Sequence, residues 1–129
     1  MQTRAGGRFS RKRRIVNQDD FSSVFRAGCR HRTAHFALYA GKGKTTCARL
    51  GVVVARRLAK QAVVRNSIRR VCRELFRGMV LPVPIDCVVR LSRSLEGGNG
   101  RTSGTMFRRQ VREELGGLFS RLARKERRQ

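Results

Sequence analysis

The sequence predicts an α+β domain in which helices pack against a small β-sheet. Hydrophobic residues recur with helical spacing in an arginine-rich stretch at 62–79 and again near the end of the chain. Short runs of hydrophobic and aromatic residues elsewhere are typical of strands. The order of helix, strands, helix, strand and helix is typical of an α+β or split βαβ sandwich. At 129 residues the chain has the length of one domain.

The first predicted helix covers the sequence NQDDFSSVFRAG. Asn17 is a candidate N-cap, Asp19 and Asp20 suit the positive end of the helix dipole, and Gly28 is a candidate stop. Residues 1–13 are basic and lack a core-forming pattern, so we expect a disordered arm there. We expect one folded domain at 14–125 and a basic tail at 126–129.

Three stretches are predicted as strands because hydrophobic residues alternate or run without interruption in them. In the first, Phe36 and Leu38 would face one side of the sheet, and Ala37 and Tyr39 the other. We expect Phe36 and Leu38 to lie in the core beneath the arginine-rich helix. The predicted strands are Thr33–Ala40, Arg49–Ala55 and Ile85–Leu91.

The remaining segments are two connections and a last helix. Pro82 and Pro84 prevent the arginine-rich helix from continuing. The glycine- and serine-rich run from Ser92 to Gly104 is predicted to be a mobile loop. An amphipathic helix is predicted from Thr105 to about Arg124.

The arginine-rich helix has two chemically different sides. Its charged side carries one acid, Glu74, among many arginines, which would repel one another if the face were merely solvated. That solvated face is the alternative, but guanidinium groups bind phosphate oxygens in pairs, so a polyanion is the natural partner. The hydrophobic side contains Val64, Ile68, Val71, Cys72, Leu75 and Met79; the charged side contains Arg65, Asn66, Arg69, Arg70, Arg73 and Arg77.

The composition also favours a polyanionic partner. The chain has 31 basic and 8 acidic residues and a formal net charge of +23. It has no hydrophobic run long enough to span a membrane and no secretory signal at its start. Its four cysteines are widely spaced, which favours reduced thiols in the cytoplasm over disulfides or a zinc site.

Residues for catalysis by the protein are lacking in the sequence. The acids are scattered, and none of the serines lies in a His–acid pattern. GKGKTT lacks the spacing of a phosphate-binding P-loop. His31 and His35 have no acidic or cysteine ligand beside them, so we expect no metal site. The sequence therefore predicts a binding protein; a structural RNA-binding protein of ribosomal type, a DNA-compacting protein and a stand-alone nuclease are the alternatives.

The stretch RRLAKQAVVRNSIRRVCRELFR at 56–77 resembles the signature of the bacterial ribonuclease P protein component. Its Arg-Arg, Arg-Asn, Arg-Arg and Arg-Glu-x-Phe-Arg elements occur in the family's order. Upstream, Asp20-Phe21 and Val24-Phe25 resemble the family's first helix, and the strand segments FALY and RLG resemble two of its strands. The resemblance covers about residues 9–125.

The resemblance implies an αβββαβα fold with a small, mostly antiparallel four-stranded sheet and a left-handed βαβ crossover, as in the second domain of ribosomal protein S5. It also implies a protein subunit that binds a catalytic RNA and the 5′ leader of precursor tRNA. In that enzyme Mg²⁺ held mainly by the RNA cleaves the leader, and no obligate protein partner or membrane is involved. Engagement of about eight phosphates would give a log–log salt slope of roughly −6 to −7.

Two sets of residues follow from the resemblance. Asn66 in the first set has a structural alternative, bracing the backbone, and Phe21 in the second has core packing as its alternative. The RNA-subunit-binding set is Arg56, Arg57, Lys60, Arg65, Asn66, Arg69, Arg70, Arg73 and Arg77; the leader-binding set is Arg14, Phe21, Phe25, Ala37 and Tyr39.

The chain departs from the family pattern at two points. Ser67 stands where the family's Arg-Asn-Arg triplet has its second arginine, so that contact is weakened or supplied from elsewhere. A glycine common near Lys60 is also missing, which leaves the turn before the helix open.

Overall fold

The computed structural model describes residues 11–79, 81, 84–95 and 104–128, with the side chains of the last helix described over 108–124. A short 3-10 turn at Arg11–Arg13 precedes the main elements, which follow the order αβββαβα. The helices and strands are α1 (Gln18–Ala27), β1 (Cys29–Arg32), β2 (Phe36–Lys42), β3 (Arg49–Val53), α2 (Ala62–Arg77), β4 (Ile85–Leu91) and α3 (Gly104–Arg128).

The four strands form one mixed sheet in the order β1-β2-β4-β3. The β1–β2 and β2–β4 pairs are antiparallel, whereas β3 and β4 are parallel. Because parallel neighbours cannot be joined by a tight turn, the chain passes through α2 between β3 and β4. The predicted α+β class and the mostly antiparallel sheet are confirmed.

One face of the sheet is covered by α2 and α3. Phe36 and Leu38 of β2 are fully buried there together with Ile68 and Phe76 of α2, as the alternation in β2 predicted. Burial of each such side chain contributes about 1.5–3 kcal/mol relative to exposure. This face forms the main hydrophobic core and holds the buried side of α2 in place.

The opposite face is covered only in part, by α1. Val24 of α1 packs on Val88 of β4, and the rings of Phe25 and Tyr39 lie at the edge of this second cluster. A Cβ atom at Gly51 would lie 2.5 Å from Cε1 of Phe21, so the glycine permits the close approach of that ring. The close fit therefore fixes where α1 lies on the sheet.

The predicted boundaries of α1 are confirmed. The side chain of Asn17 caps the helix by accepting a hydrogen bond of 2.7 Å from the Asp19 N–H. Gly28 ends it with a φ of 112°, in the region that glycine favours. The helix α2 ends at Arg77, two residues before the predicted end at Met79, and α3 runs from Gly104 to Arg128, beyond the predicted end.

One strand was not located by the sequence patterns. The segment Cys29–Arg32, CRHR, forms β1, and the next strand begins at Phe36, later than predicted. The segment has no hydrophobic alternation; it lies at the sheet edge, where Cys29 and Arg32 are exposed and Arg30 and His31 are half-buried. Residues 1–10 of the predicted arm and most of the predicted loop at 92–104 lie outside the described residues.

None of the helices in the described part of the chain is long and apolar enough to cross a membrane.

Candidate nucleic-acid interface

The helix α2 presents its arginines to solvent because its other side is held in the core. Ile68, Val71, Cys72 and Phe76 are at most 5% exposed. Burial raises the pKa of the Cys72 thiol to about 12, so this thiol remains protonated and behaves as a hydrophobic group. The two-sided pattern predicted for the helix is confirmed.

The exposed side of α2 forms a shallow hollow of about 610 Å³, which we call the arginine hollow. Its one acid, Glu74, accepts a hydrogen bond of 2.6 Å from the Arg112 guanidinium on α3. The acid is thus already neutralised by a residue outside the hollow. The hollow is lined by Arg14, Asn66, Arg69, Arg70, Arg73, Glu74 and Arg77.

The charges in the arginine hollow repel one another. Burial, and after it the positive charges of Arg14 and Arg69, lower the pKa of Arg73 from its ordinary value. Burial and the neighbouring like charges thus both disfavour the charged form of this guanidinium. Phosphate oxygens in the hollow would offset the repulsion, because they supply negative charge.

Arg65 has a structural role within the described residues. Its Nη1 donates hydrogen bonds of 2.9 Å to the carbonyl oxygens of both Ala59 and Lys60. These bonds fix the turn that leads into α2, the turn whose expected glycine is missing from this sequence. Arg56 and Arg57 lie exposed in the same connection, outside the arginine hollow.

The structure places Arg14 on the arginine hollow, whereas the sequence resemblance grouped it with the leader-binding residues. Its neighbour Ile15 is tied to the sheet by a hydrogen bond of 3.0 Å from its N–H to the carbonyl of Leu50. The Arg13 guanidinium lies 5.1 Å from the centre of the Phe76 ring. The segment before α1 therefore runs along α2 and adds its charge to that surface.

A second surface lies beside α1, where Phe25, Tyr39 and Arg90 come together, and we call it the aromatic cleft. The rings of Phe25 and Tyr39 meet edge to face at 4.8 Å, and the Arg90 guanidinium lies 5.9 Å from the Phe25 ring. Ala37 pairs with Arg90 across the sheet but is only 1% exposed. Ala37 is thus buried within the sheet, and Phe21, packed against Gly51, belongs to the contact between α1 and the sheet.

A polar network joins α1 to the sheet, and the sequence patterns did not predict it. Asp86, 1% exposed, accepts two hydrogen bonds from Arg49, which also lies 3.3 Å from Asp20 of α1. The hydrogen bond from Lys44 is the main cause that lowers the pKa of Asp20. The sequence contains one signal for this network: Asp86 is an acid within the hydrophobic strand IDCVVRL.

No three His, Cys, Asp or Glu side chains in the described part of the chain lie close enough together to hold a metal ion. His35 Nδ1 lies 2.6 Å from Glu114 Oε2, so this histidine, the residue before β2, ties the start of that strand to α3.

Comparison with known proteins decides the family. Residues 9–123 match the model of the family described as Ribonuclease P. The chain belongs to the ribonuclease P protein family. It is 42% identical over 110 residues to the ribonuclease P protein component of Ralstonia pickettii (strain 12J), a match that covers 82% of this chain and 76% of that protein.

Solved structures of ribonuclease P proteins have the same fold. The Staphylococcus aureus RNase P protein aligns with a TM-score of 0.65 over 84% of this chain and 93% of that one, at 24% identity. The Thermotoga maritima RNase P protein aligns with a TM-score of 0.57 over 80% of this chain and 94% of that one, at 27% identity. As a ribonuclease P protein component, the chain has a role in the processing of tRNA 5′ ends, and its basic surfaces are consistent with RNA binding.

Proposed function

We propose that this chain binds the catalytic RNA of ribonuclease P and the 5′ leader of precursor tRNA. In doing so it promotes the endonucleolytic removal of the leader, which gives the mature 5′ end. The proposal rests mainly on the arginine hollow, where several guanidinium groups of α2 lie together on the side of the helix that faces solvent.

The arginine hollow is proposed as the site for the RNA subunit. Arg69, Arg70, Arg73 and Arg77 are held on one helix, so their spacing is set before binding. Guanidinium groups bind phosphate oxygens through charge-assisted, often paired hydrogen bonds. Bound phosphate oxygens would also relieve the repulsion between Arg73 and its like-charged neighbours Arg14 and Arg69.

The aromatic cleft is proposed as the site for the single-stranded leader. Phe25 and Tyr39 provide ring faces and edges beside the Arg90 guanidinium. Stacking of a base on an aromatic side chain contributes about 1–3 kcal/mol and tolerates any base. A protein that serves many precursor tRNAs needs such tolerance, because their leaders differ in sequence.

The chemical step is proposed to lie outside the protein. Three of the described carboxylates already have a basic partner and so do not suit a magnesium site of the protein's own: Asp86 pairs with Arg49, Glu74 with Arg112, and Glu114 with His35. Magnesium bound mainly by the RNA would supply the Lewis acid for phosphodiester hydrolysis that leaves a 5′-phosphate on the tRNA. The residues of the protein bind and orient the two RNAs.

This role requires neither a membrane nor a second protein chain. We place the protein in the cytoplasm, where its thiols remain reduced. Burial also raises the pKa of the Cys87 thiol, which keeps this group unreactive.

Reconstitution tests the proposal directly. The purified chain is mixed with a bacterial ribonuclease P RNA and precursor tRNA at low magnesium, and 5′ leader removal is measured against the RNA alone and the protein alone. We expect the protein to accelerate cleavage by the RNA and to cleave nothing by itself. Absence of acceleration would contradict the proposal, and recovery of ribosomal RNA instead of ribonuclease P RNA with the purified chain would favour a structural role.

A further inference from the structure

A second basic depression lies beside the arginine hollow, between α2 and α3. It has a volume of about 240 Å³, and we call it the α2–α3 groove. Arg70 and Glu74 line both depressions, so the two are continuous over the surface of α2. The groove is lined by Ser67, Arg70, Val71, Glu74, Arg108, Arg109 and Arg112.

The charge of the groove is almost entirely positive. Arg112 donates to Glu74 at 2.6 Å, so one arginine neutralises the single carboxylate. Arg70, Arg108 and Arg109 have neither an ion pair nor a hydrogen bond with any residue that the structure describes. Three unpaired guanidinium groups around one depression favour an anion between them.

The floor of the groove is made by small or buried side chains. Val71 is 5% exposed, and Ser67 presents a short hydroxyl that can donate to an oxygen. Ser67 is also the position where this chain departs from an Arg-Asn-Arg sequence. Because the serine side chain is small, it leaves space beside α2, and Arg108, Arg109 and Arg112 of α3 line that space.

We propose that the α2–α3 groove binds a backbone phosphate of the RNA subunit. Arg108 and Arg109 of α3 then supply the guanidinium groups that α2 lacks at Ser67. The RNA-binding surface extends from Arg14 across α2 to α3 and is wider than the helix signature indicates. This inference rests on the proposed function, because the phosphate belongs to the RNA that the arginine hollow binds.

The salt dependence of binding tests the inference. Affinity of the full chain for ribonuclease P RNA is measured against salt concentration for the wild type, Arg108→Gln, Arg109→Gln and the control Arg121→Gln. Arg121 is an exposed arginine of α3 that lines none of the groove. We expect the log–log slope to become less steep by about 0.7–0.9 when a phosphate contact is lost in a groove variant. The control should keep the wild-type slope.

Two results would overturn the inference without touching the proposed function. If the wild type binds and both groove variants keep its slope, the groove does not bind a phosphate. The same conclusion follows if Arg121→Gln changes the slope as much as the groove variants do. Failure of the wild type to bind ribonuclease P RNA would instead contradict the proposed function. Unchanged thermal unfolding midpoints confirm that the exposed substitutions leave the fold intact.

A compensating substitution sharpens the test. Ser67→Arg in the Arg109→Gln background places a guanidinium back in the groove from the α2 side. We expect it to restore the wild-type slope, whereas Ser120→Arg, on an exposed part of α3, should not. If Ser67→Arg and Ser120→Arg both restore the slope, or if neither does, the groove is not the site of the phosphate contact.

Discussion

Arg49 and Asp86 form a paired ion bridge between the parallel strands β3 and β4, with Nε–Oδ1 and Nη2–Oδ2 distances of 3.0 and 2.8 Å. The two residues are register partners in the sheet, and Asp86 is almost completely buried. The pKa of Arg49 is raised by its hydrogen bonds to Asp86. Through Asp20, the same guanidinium also ties α1 to the sheet.

Removal of one partner should therefore be costly. We expect Asp86→Ala to lower the free energy of unfolding by about 3 kcal/mol, because Arg49 is left buried without its main counter-charge. Urea denaturation measures the change. Lys44→Ala in the same network should cost much less than Asp86→Ala, because its ion pair with Asp20 is exposed. Equal losses in the two variants would contradict a special role for the buried pair.

The contact between Gly51 and Phe21 gives a second stability prediction. We expect Gly51→Ala to lower the free energy of unfolding by about 1–3 kcal/mol, since the new methyl group must displace the Phe21 ring. At Gly116 of α3, a Cβ atom meets nothing within 4 Å, so Gly116→Ala should stabilise by about 0.5–1 kcal/mol. Thermal or urea unfolding of both variants tests whether Gly51→Ala lowers the free energy of unfolding and Gly116→Ala raises it. A harmless Gly51→Ala would mean that α1 moves freely on the sheet.

Glu114 predicts a pH dependence of stability. Burial raises its pKa, but the hydrogen bonds from Thr33 and His35 outweigh burial and hold the pKa below its ordinary value. A carboxyl group with a lowered pKa stabilises the fold at pH values above its unfolded pKa. That contribution is lost as the pH falls through the lower folded-state pKa.

The test is urea unfolding of the wild type and Glu114→Gln between pH 7 and pH 3. We expect the variant to be less stable by about 1–2 kcal/mol at pH 7 and the difference to shrink below about pH 4.5. Glu113→Gln, on the exposed side of the same helix, is the matched control. A difference that stays constant with pH would show that the charge of Glu114 contributes nothing.

Tyr39 tests the aromatic cleft. We expect Tyr39→Ala to weaken binding of precursor tRNA to the holoenzyme by about 1–3 kcal/mol and to leave binding of mature tRNA unchanged, because only the precursor carries a leader. Tyr39→Phe keeps the ring beside Phe25 and should keep most of the affinity. Equal losses of affinity for precursor and mature tRNA would show that Tyr39 does not bind the leader.

The periodic parts of the fold were predictable from the sequence because the interactions that define them are local. Asn17 and Gly28 mark the ends of α1 through cap chemistry, and the spacing from Ile68 to Phe76 predicts which side of α2 is buried. The strand β1 has no such local pattern, since CRHR pairs only along one edge of the sheet.

The contacts that position the site could not be predicted, because they join distant residues. The bridge from Arg49 to Asp86 spans 37 positions, and the bond from Thr33 to Glu114 spans 81. The path of Arg14 along α2 also depends on the bond of Ile15 to Leu50. Motif resemblance grouped residues by the RNA that each is expected to bind, whereas the structure shows which of them share a surface.

The central claim is that α2 binds the RNA subunit and takes no part in the chemical step. It is tested most directly by leader cleavage at low magnesium with ribonuclease P RNA, over a range of protein concentrations, for the wild type, Arg69→Gln and the control Arg121→Gln. Arg69→Gln loses one charge-assisted phosphate contact, so it should need about a tenfold higher protein concentration for half-maximal cleavage. Arg121→Gln should need the same concentration as the wild type. At saturating protein, all three should reach the same cleavage rate. A cleavage rate that remains depressed at saturating Arg69→Gln, or a titration identical to that of the wild type, would contradict the account.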